Sequence, residues 1–113
     1  MVALLAKLRG GELYKFHEER RCECLPKFMA IHTLPEPMNV DPALAKKVAS
    51  SCTMDAYWVA SQAQLNEEGK VVMLVCEWDA KDAESIQDVL DKVPELPTDG
   101  IYPMAKMDSV DFR

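Results

Sequence analysis

The sequence predicts an α+β domain in which four antiparallel strands form one sheet and two helices cover one of its faces. Two helix starts are marked by aspartates at positions 41 and 82, each followed by an apolar stripe at helical spacing. Between residues 57 and 78, two strand-like runs flank a short loop, and this pattern indicates a hairpin. Together with a short apolar run near each end, these observations predict the order strand, helix, strand, strand, helix, strand.

The first strand and the first helix are separated by prolines. Residues Lys27–Leu34 form a short apolar run that Pro35 and Pro37 stop, and this length with flanking prolines favours a strand. Asp41 offers a helix N-cap with a proline directly after it, and apolar residues recur at helical spacing to about Cys52. The first helix is therefore predicted over this stretch.

A β-hairpin is predicted between Tyr57–Leu65 and Lys70–Trp78. The connecting residues 66–69, Asn-Glu-Glu-Gly, form a four-residue loop in which Gly69 can take a positive φ. If Leu65 opposes Lys70, the register follows for every residue of the hairpin.

The second helix and the last strand complete the pattern. Asp82 caps an amphipathic segment that Pro94 ends. The final run, Ile101–Asp108, contains Pro103, which confines this strand to a sheet edge.

The predicted order is the split β-α-β arrangement known as the ferredoxin-like fold. Residues 27–113 are predicted to form this α+β domain, with a four-stranded antiparallel sheet and both helices on one face. Residues 1–26 are predicted to be an irregular or partly helical N-terminal extension.

Composition and charge exclude several classes of function. A chain of 113 residues, with 49% hydrophobic and 28% charged residues, suits one globular domain. The net charge of -6 and the lack of a basic stripe argue against a nucleic acid partner. No apolar run approaches the roughly 18 to 20 residues that cross a bilayer, so no membrane partner is predicted and a cytoplasmic location is expected.

The hairpin register divides its side chains between two faces of the sheet. One face is almost wholly apolar and suits the side under the helices. The other face collects Trp58, Ala60, Gln62 and Gln64 with Val71, Met73, Val75 and Glu77. Because the run Val71–Cys76 is apolar on both sides, a second cover is expected. A two-fold homodimer through this sheet face is predicted, and a bound small molecule is the rival cover.

His32 is the central candidate for a functional residue. Alternation groups it with Ala30 and Leu34, and if that set faces the open side of the sheet, His32 lies near Met73 and Gln62. An imidazole in apolar surroundings can act as a general base or a metal ligand. The residues predicted to bind a ligand are His32, Trp58, Gln62, Met73, Glu77 and Tyr102.

Further metal-ligand side chains occur in the N-terminal extension. His17, Cys22 and Cys24 offer one imidazole and two thiolates, which would suit zinc, nickel or copper and supply at most three ligands. Cys52 and Cys76 are predicted to be reduced thiols that pack in the core.

Three stretches of the sequence resemble a known family. Trp58–Ser61, the hairpin Gly69 and Cys76–Ala80 are similar to the small ferredoxin-like family, of the dimeric α/β barrel type, whose described member binds nickel. The resemblance covers residues 27–108. It implies a small cytoplasmic dimer that binds a metal such as nickel or another ligand, with no established reaction.

Besides metal binding by the N-terminal extension, two functions of the folded domain remain open from the sequence. The first is a non-catalytic homodimer that holds a metal or small ligand near His32 on the open sheet face. The alternative is a cofactor-independent monooxygenase or isomerase of the dimeric α/β barrel type, in which His32 handles the proton and Trp58 and Tyr102 line the pocket. A packed face without a cavity beside His32 favours the first, and an enclosed apolar pocket of about 300 Å³ or more favours the second.

Overall fold

The computed structural model of the protein describes residues 25–113, which form an α+β domain. The strands are β1 (Lys27–Met38), β2 (Ala56–Leu65), β3 (Val71–Ala80) and β4 (Gly100–Pro103). The helices are α1 (Pro42–Ser51) and α2 (Ala83–Leu90), and a 3₁₀ helix (Ser109–Phe112) follows β4. Within these residues the strands form a sheet in the order β2-β3-β1-β4, and every neighbouring pair is antiparallel. The predicted ferredoxin-like α+β fold is confirmed.

Both helices begin where their aspartates predict. The Asp41 carboxylate accepts a hydrogen bond from the N–H of Ala43 at 3.0 Å, and the Asp82 carboxylate accepts one from the N–H of Ser85 at 2.8 Å. Hydrogen bonds from Ser85 also lower the pKa of the Asp82 carboxyl. Caps of this kind are worth about 1 kcal/mol each. Neither α1 nor α2 is long and apolar enough to span a lipid bilayer.

The hydrophobic core lies between the helices and one face of the sheet. Trp78, Ile86, Val89 and Val93 are each at most 1% exposed. They belong to β3, to α2 and to the turn after α2, so α2 is anchored against the sheet, while α1 contributes the buried Val48.

Three element boundaries differ from the sequence prediction. β1 continues past the two prolines to Met38. Both prolines lie after Thr33, where a register shift interrupts the pairing with β3. The N–H that each proline lacks is therefore not needed for a hydrogen bond between the strands. α2 ends at Leu90, although Val93 stays buried in the following turn. β4 ends at Pro103 and the chain turns into a 3₁₀ helix that the sequence pattern did not indicate.

The hairpin turns at the predicted loop, but its register is different. Gly69 has a φ of 80°, and the N–H of Asn66 donates to the carbonyl of Lys70 at 2.8 Å. Leu65 pairs with Val71 instead of Lys70, and the pairing shifts twice, once beside Leu65 and once between Trp58 and Ala60.

The irregularity at Val59 turns Trp58 towards the helices. Ala60 pairs with Glu77, whereas Trp58 pairs with Trp78, so Val59 is the extra residue of a β-bulge. The prediction that Trp58 lies on the open face is therefore wrong, because one inserted residue exchanges the faces of the residues that precede it.

We call the sheet surface away from the helices the open face. Its centre is made of side chains that the strand registers place side by side: Met29 and Ile31 from β1, Met73 and Val75 from β3, and Ala60 and Gln62 from β2. The four apolar residues from β1 and β3 are only half-buried. An apolar strip therefore crosses the middle of the open face.

Charged residues close one end of the open face. The Nζ atom of Lys27 lies 2.7 Å from Oε2 of Glu77 and 2.7 Å from Oδ1 of Asp79, and the Nζ atom of Lys106 lies 3.6 Å from Oε1 of Glu77. Partial burial lowers the pKa of Lys27, but the hydrogen bonds that its ammonium donates to the two carboxylates, together with their charges, outweigh burial and raise the pKa of this lysine. The apolar strip therefore has a polar rim.

Candidate functional site

A cavity of about 250 Å³ lies between the sheet and α1. Helix-facing residues of β1, β2 and β3 form its floor, α1 forms a wall, and the lining is almost entirely apolar. The strand residues that line it are His32, Leu34, Met38, Trp58, Ser61, Ala63, Val71, Leu74, Cys76 and Trp78. Leu44, Ala45 and Val48 line it from α1. The cavity reaches solvent near the start of α1, where Asn39, Val40 and Asp41 are exposed, and along β2, where Ser61 and Ala63 are exposed.

His32 lies at the floor of this cavity, on the side of the sheet that faces the helices. Ala30, His32 and Leu34 are buried, whereas Ile31 and Thr33 alternate to the open face. The expectation that the His32 set faces the open side is therefore wrong. Alternation groups the residues of β1 correctly, but the packing of the helices decides which of the two groups is covered.

The His32 ring is held in one tautomer by the loop after α2. Its Nδ1 lies 2.8 Å from the carbonyl oxygen of Pro97, and because a carbonyl can only accept, Nδ1 carries the proton. Nε2 is then the unprotonated nitrogen, and it is buried without a hydrogen-bond partner among residues 25–113. Burial lowers the pKa of His32, against the opposing effects of the Pro97 bond and the charge of Asp99, so the ring is neutral.

The imidazole has no solvent-exposed surface in this conformation. It is flanked by Leu34 on its own strand and by Leu74, its cross-strand partner, and both side chains line the cavity. His32 is itself one of the residues that line the cavity, so a molecule bound there lies beside the imidazole ring.

Three polar side chains of the lining satisfy one another. The indole N–H of Trp58 donates to Oγ of Ser61 at 2.8 Å, and the hydroxyl of Ser61 donates to Sγ of Cys76 at 2.9 Å. Burial raises the pKa of the Cys76 thiol, against the opposing effect of the Ser61 hydrogen bond, so the thiol stays protonated. This chain orients the Trp58 ring beside the cavity.

The other residues predicted to bind a ligand lie away from the cavity. Gln62, Met73 and Glu77 belong to the open face. Tyr102 lies on the edge strand, 47% exposed, with its ring folded over Gly100. Of the six predicted residues, the structure brings together His32 and Trp58 and places the other four elsewhere.

Several cavity residues were not recognised from the sequence as site residues. They include Ser61 of β2 and three residues of the apolar stripe of α1, Leu44, Ala45 and Val48. The usable signal was a helix stripe made of small and medium side chains, Ala45 and Val48, facing a strand position occupied by Ser61.

The metal-ligand side chains of the N-terminal extension, His17, Cys22 and Cys24, lie outside the described residues. Within residues 25–113 no three His, Cys, Asp or Glu side chains converge in a way that could hold a metal ion. Cys52 and Cys76 are free thiols, and Cys76 is buried in the core as predicted.

Fold and site together describe a ferredoxin-like α+β protein with an apolar cavity between its sheet and its first helix, and a neutral histidine at the cavity floor. Comparison with protein-family models, with curated proteins and with solved structures finds no match to this chain.

Proposed function

We propose that the protein binds a small apolar molecule in the cavity under α1, with Nε2 of His32 as the polar contact. The observation that carries this proposal is a buried, neutral histidine beside an apolar cavity, whose remaining nitrogen has no partner in the described part of the chain, residues 25–113. An unpaired buried acceptor costs about 1–3 kcal/mol, and a ligand that donates to it recovers that cost. The ligand site of the sequence-based prediction therefore moves to the opposite side of the sheet.

The proposal includes a homodimer formed through the open face. Met29, Ile31, Met73 and Val75 make a half-buried apolar strip there, and neither helix covers it. A two-fold contact covers such a strip with its own copy. Dimerisation and ligand binding then use opposite faces of one sheet and do not compete.

The orientation of His32 favours a second candidate, proton transfer to Nε2. A carbonyl that holds Nδ1–H fixes both the tautomer and the ring orientation, which is the arrangement of a general base. This is the isomerase or cofactor-independent monooxygenase alternative.

Hydrogen exchange of a ketone tests this second candidate. With 2-tetralone in D₂O, the native protein is expected to catalyse exchange of the hydrogens next to the carbonyl, and His32→Asn is expected to lose this catalysis. If 2-tetralone exchanges no faster with the native protein than in buffer alone, the catalytic role is wrong, while the proposal of ligand binding stands.

Filling the cavity tests the binding function. Ala45→Phe places a ring in the space next to α1, because Ala45 is half-buried and lines the cavity. We expect 4-ethylphenol to bind the native protein with a dissociation constant of roughly 0.1–1 mM and to bind Ala45→Phe at least about tenfold more weakly. Chemical-shift changes at the Trp58 indole N–H report the binding.

Ala43→Phe is the matched control for this experiment. Ala43 lies on the same helix, is exposed and does not line the cavity, so its replacement is expected to leave the affinity unchanged. An absence of binding to the native protein, or equal binding by the Ala45→Phe and Ala43→Phe variants, contradicts the proposed function.

A further inference from the structure

The electrostatics of the cavity disfavour a charged ligand. Among the lining residues in 25–113, none is Lys or Arg, and Asp41 is an acid at the solvent end. The chain as a whole carries a net charge of -6. A carboxylate moved into this site would lose its hydration without gaining a cation, which is costly. A cation at the floor would lie among apolar side chains, because Asp41 lines the solvent end and Asp99, whose charge acts on His32, accepts a hydrogen bond from Thr33 and does not line the cavity.

The polar atoms of the lining define what an uncharged ligand must offer. Trp58 and Ser61 use their N–H and O–H groups within the protein. Within residues 25–113, two buried lining residues keep unpaired atoms: Nε2 of His32, which can only accept, and Nε1 of Trp78, which can only donate. A ketone or an ether cannot donate to Nε2, whereas a hydroxyl group both donates and accepts.

The volume of the cavity limits the size of the ligand. An apolar protein cavity of about 150 Å³ holds benzene. In proportion, 250 Å³ accommodates about ten non-hydrogen atoms, which corresponds to one ring with a short substituent.

We infer that the ligand is a small uncharged alcohol, phenol or enol whose hydroxyl donates to Nε2 of His32 while its ring fills the apolar part of the cavity. This inference rests on the proposed function and specifies its ligand class. It makes His32 the residue that selects hydroxylated over plain hydrocarbon rings. It also predicts that carboxylates of the same size do not bind, because the cavity offers them no cation.

Three matched probes test the ligand class: 4-ethylphenol, 4-ethyltoluene, in which a methyl replaces the hydroxyl, and the anion 4-ethylbenzoate. With the native protein we expect 4-ethylphenol to bind about tenfold more tightly than 4-ethyltoluene, and 4-ethylbenzoate to bind most weakly. Titrations are followed by the shift of the Trp58 indole N–H.

His32→Asn is the informative variant, because an asparagine amide can still donate to the Pro97 carbonyl while the acceptor at Nε2 is lost. In this variant the preference for 4-ethylphenol is expected to vanish or reverse. As a measurement that needs no variant, the ¹⁵N resonance of Nε2 should move with 4-ethylphenol and stay in place with 4-ethyltoluene.

The outcomes separate the ligand class from the proposed function. If 4-ethyltoluene binds as tightly as 4-ethylphenol, or 4-ethylbenzoate binds best, the ligand class is wrong while binding in the cavity stands. If the ¹⁵N resonance of Nε2 does not shift when 4-ethylphenol is added, the proposed contact with His32 is wrong. If none of the three probes binds, both the ligand class and the proposed function are wrong.

Discussion

Replacing Trp78 by alanine is expected to lower the free energy of unfolding by about 4 kcal/mol, the largest effect of any single substitution considered for this protein. Trp78 is 1% exposed and lies between Phe28 and Trp58 in the sheet. Its ring also borders the cavity, so truncation enlarges an existing space that the surrounding side chains cannot close. A native domain is stabilised by only about 5–15 kcal/mol, so this variant should be close to unfolding. Urea unfolding followed by far-ultraviolet circular dichroism measures the loss.

Trp78→Phe is the control that separates volume from hydrogen bonding. Nε1 of Trp78 is buried without a partner in residues 25–113, so phenylalanine removes an unsatisfied donor together with part of the ring. We expect this variant to lose no more than about 2 kcal/mol. A loss from Trp78→Ala below about 1 kcal/mol would mean that the ring does not pack as the structure shows.

Val75→Glu is expected to convert the proposed dimer into a monomer. Val75 lies between Ile31 and Gln62 at the centre of the open face. That face is about 19 Å wide across four strands and about 20 Å long over six residues, so a sheet-to-sheet contact covers roughly 400 Å² on each partner and belongs to the weak, transient class of interfaces. Such a dimer should dissociate in roughly the micromolar range, and two glutamates facing each other across the two-fold axis should weaken it at least about 100-fold.

Sedimentation velocity across a range of protein concentrations measures this change. Ala49→Glu is the matched control, because Ala49 is exposed on α1, away from the open face, and the same charge there should leave the dimer intact. If the native protein sediments as a monomer even at about 100 μM, the proposed dimer is wrong. If Val75→Glu remains a dimer, the dimer contact does not lie on the open face.

Much of the fold could be predicted because its signals are local. The aspartate caps at positions 41 and 82 involve partners two and three residues away. The turn at Gly69 depends on residues within one loop. Such interactions are specified by a few neighbouring residues, so the element order and the ferredoxin-like arrangement follow from the sequence.

The candidate site could be predicted only in part. The sequence marks His32 because it is the only histidine within the predicted domain, and it marks Trp58 as an aromatic side chain of the same ligand site. Gln62, Met73 and Glu77 do lie on the open face, as the hairpin alternation predicts, and Tyr102 pairs with Met29 beside that face. They are separated from the site because His32 faces the helices, whereas the bulge at Val59 changes the face of Trp58 and not of these residues.

The sequence by itself determined the order of the strands and helices, the helix starts, the hairpin loop and the alternation that groups His32 with Ala30 and Leu34. Only the tertiary structure decided which face that group occupies, because a period of two is the same on both sides of a strand until a helix covers one of them. It also decided the cavity, since the space under α1 depends on Ala45, Ser61 and Leu74, which lie far apart in the chain and meet only when α1 packs on the sheet.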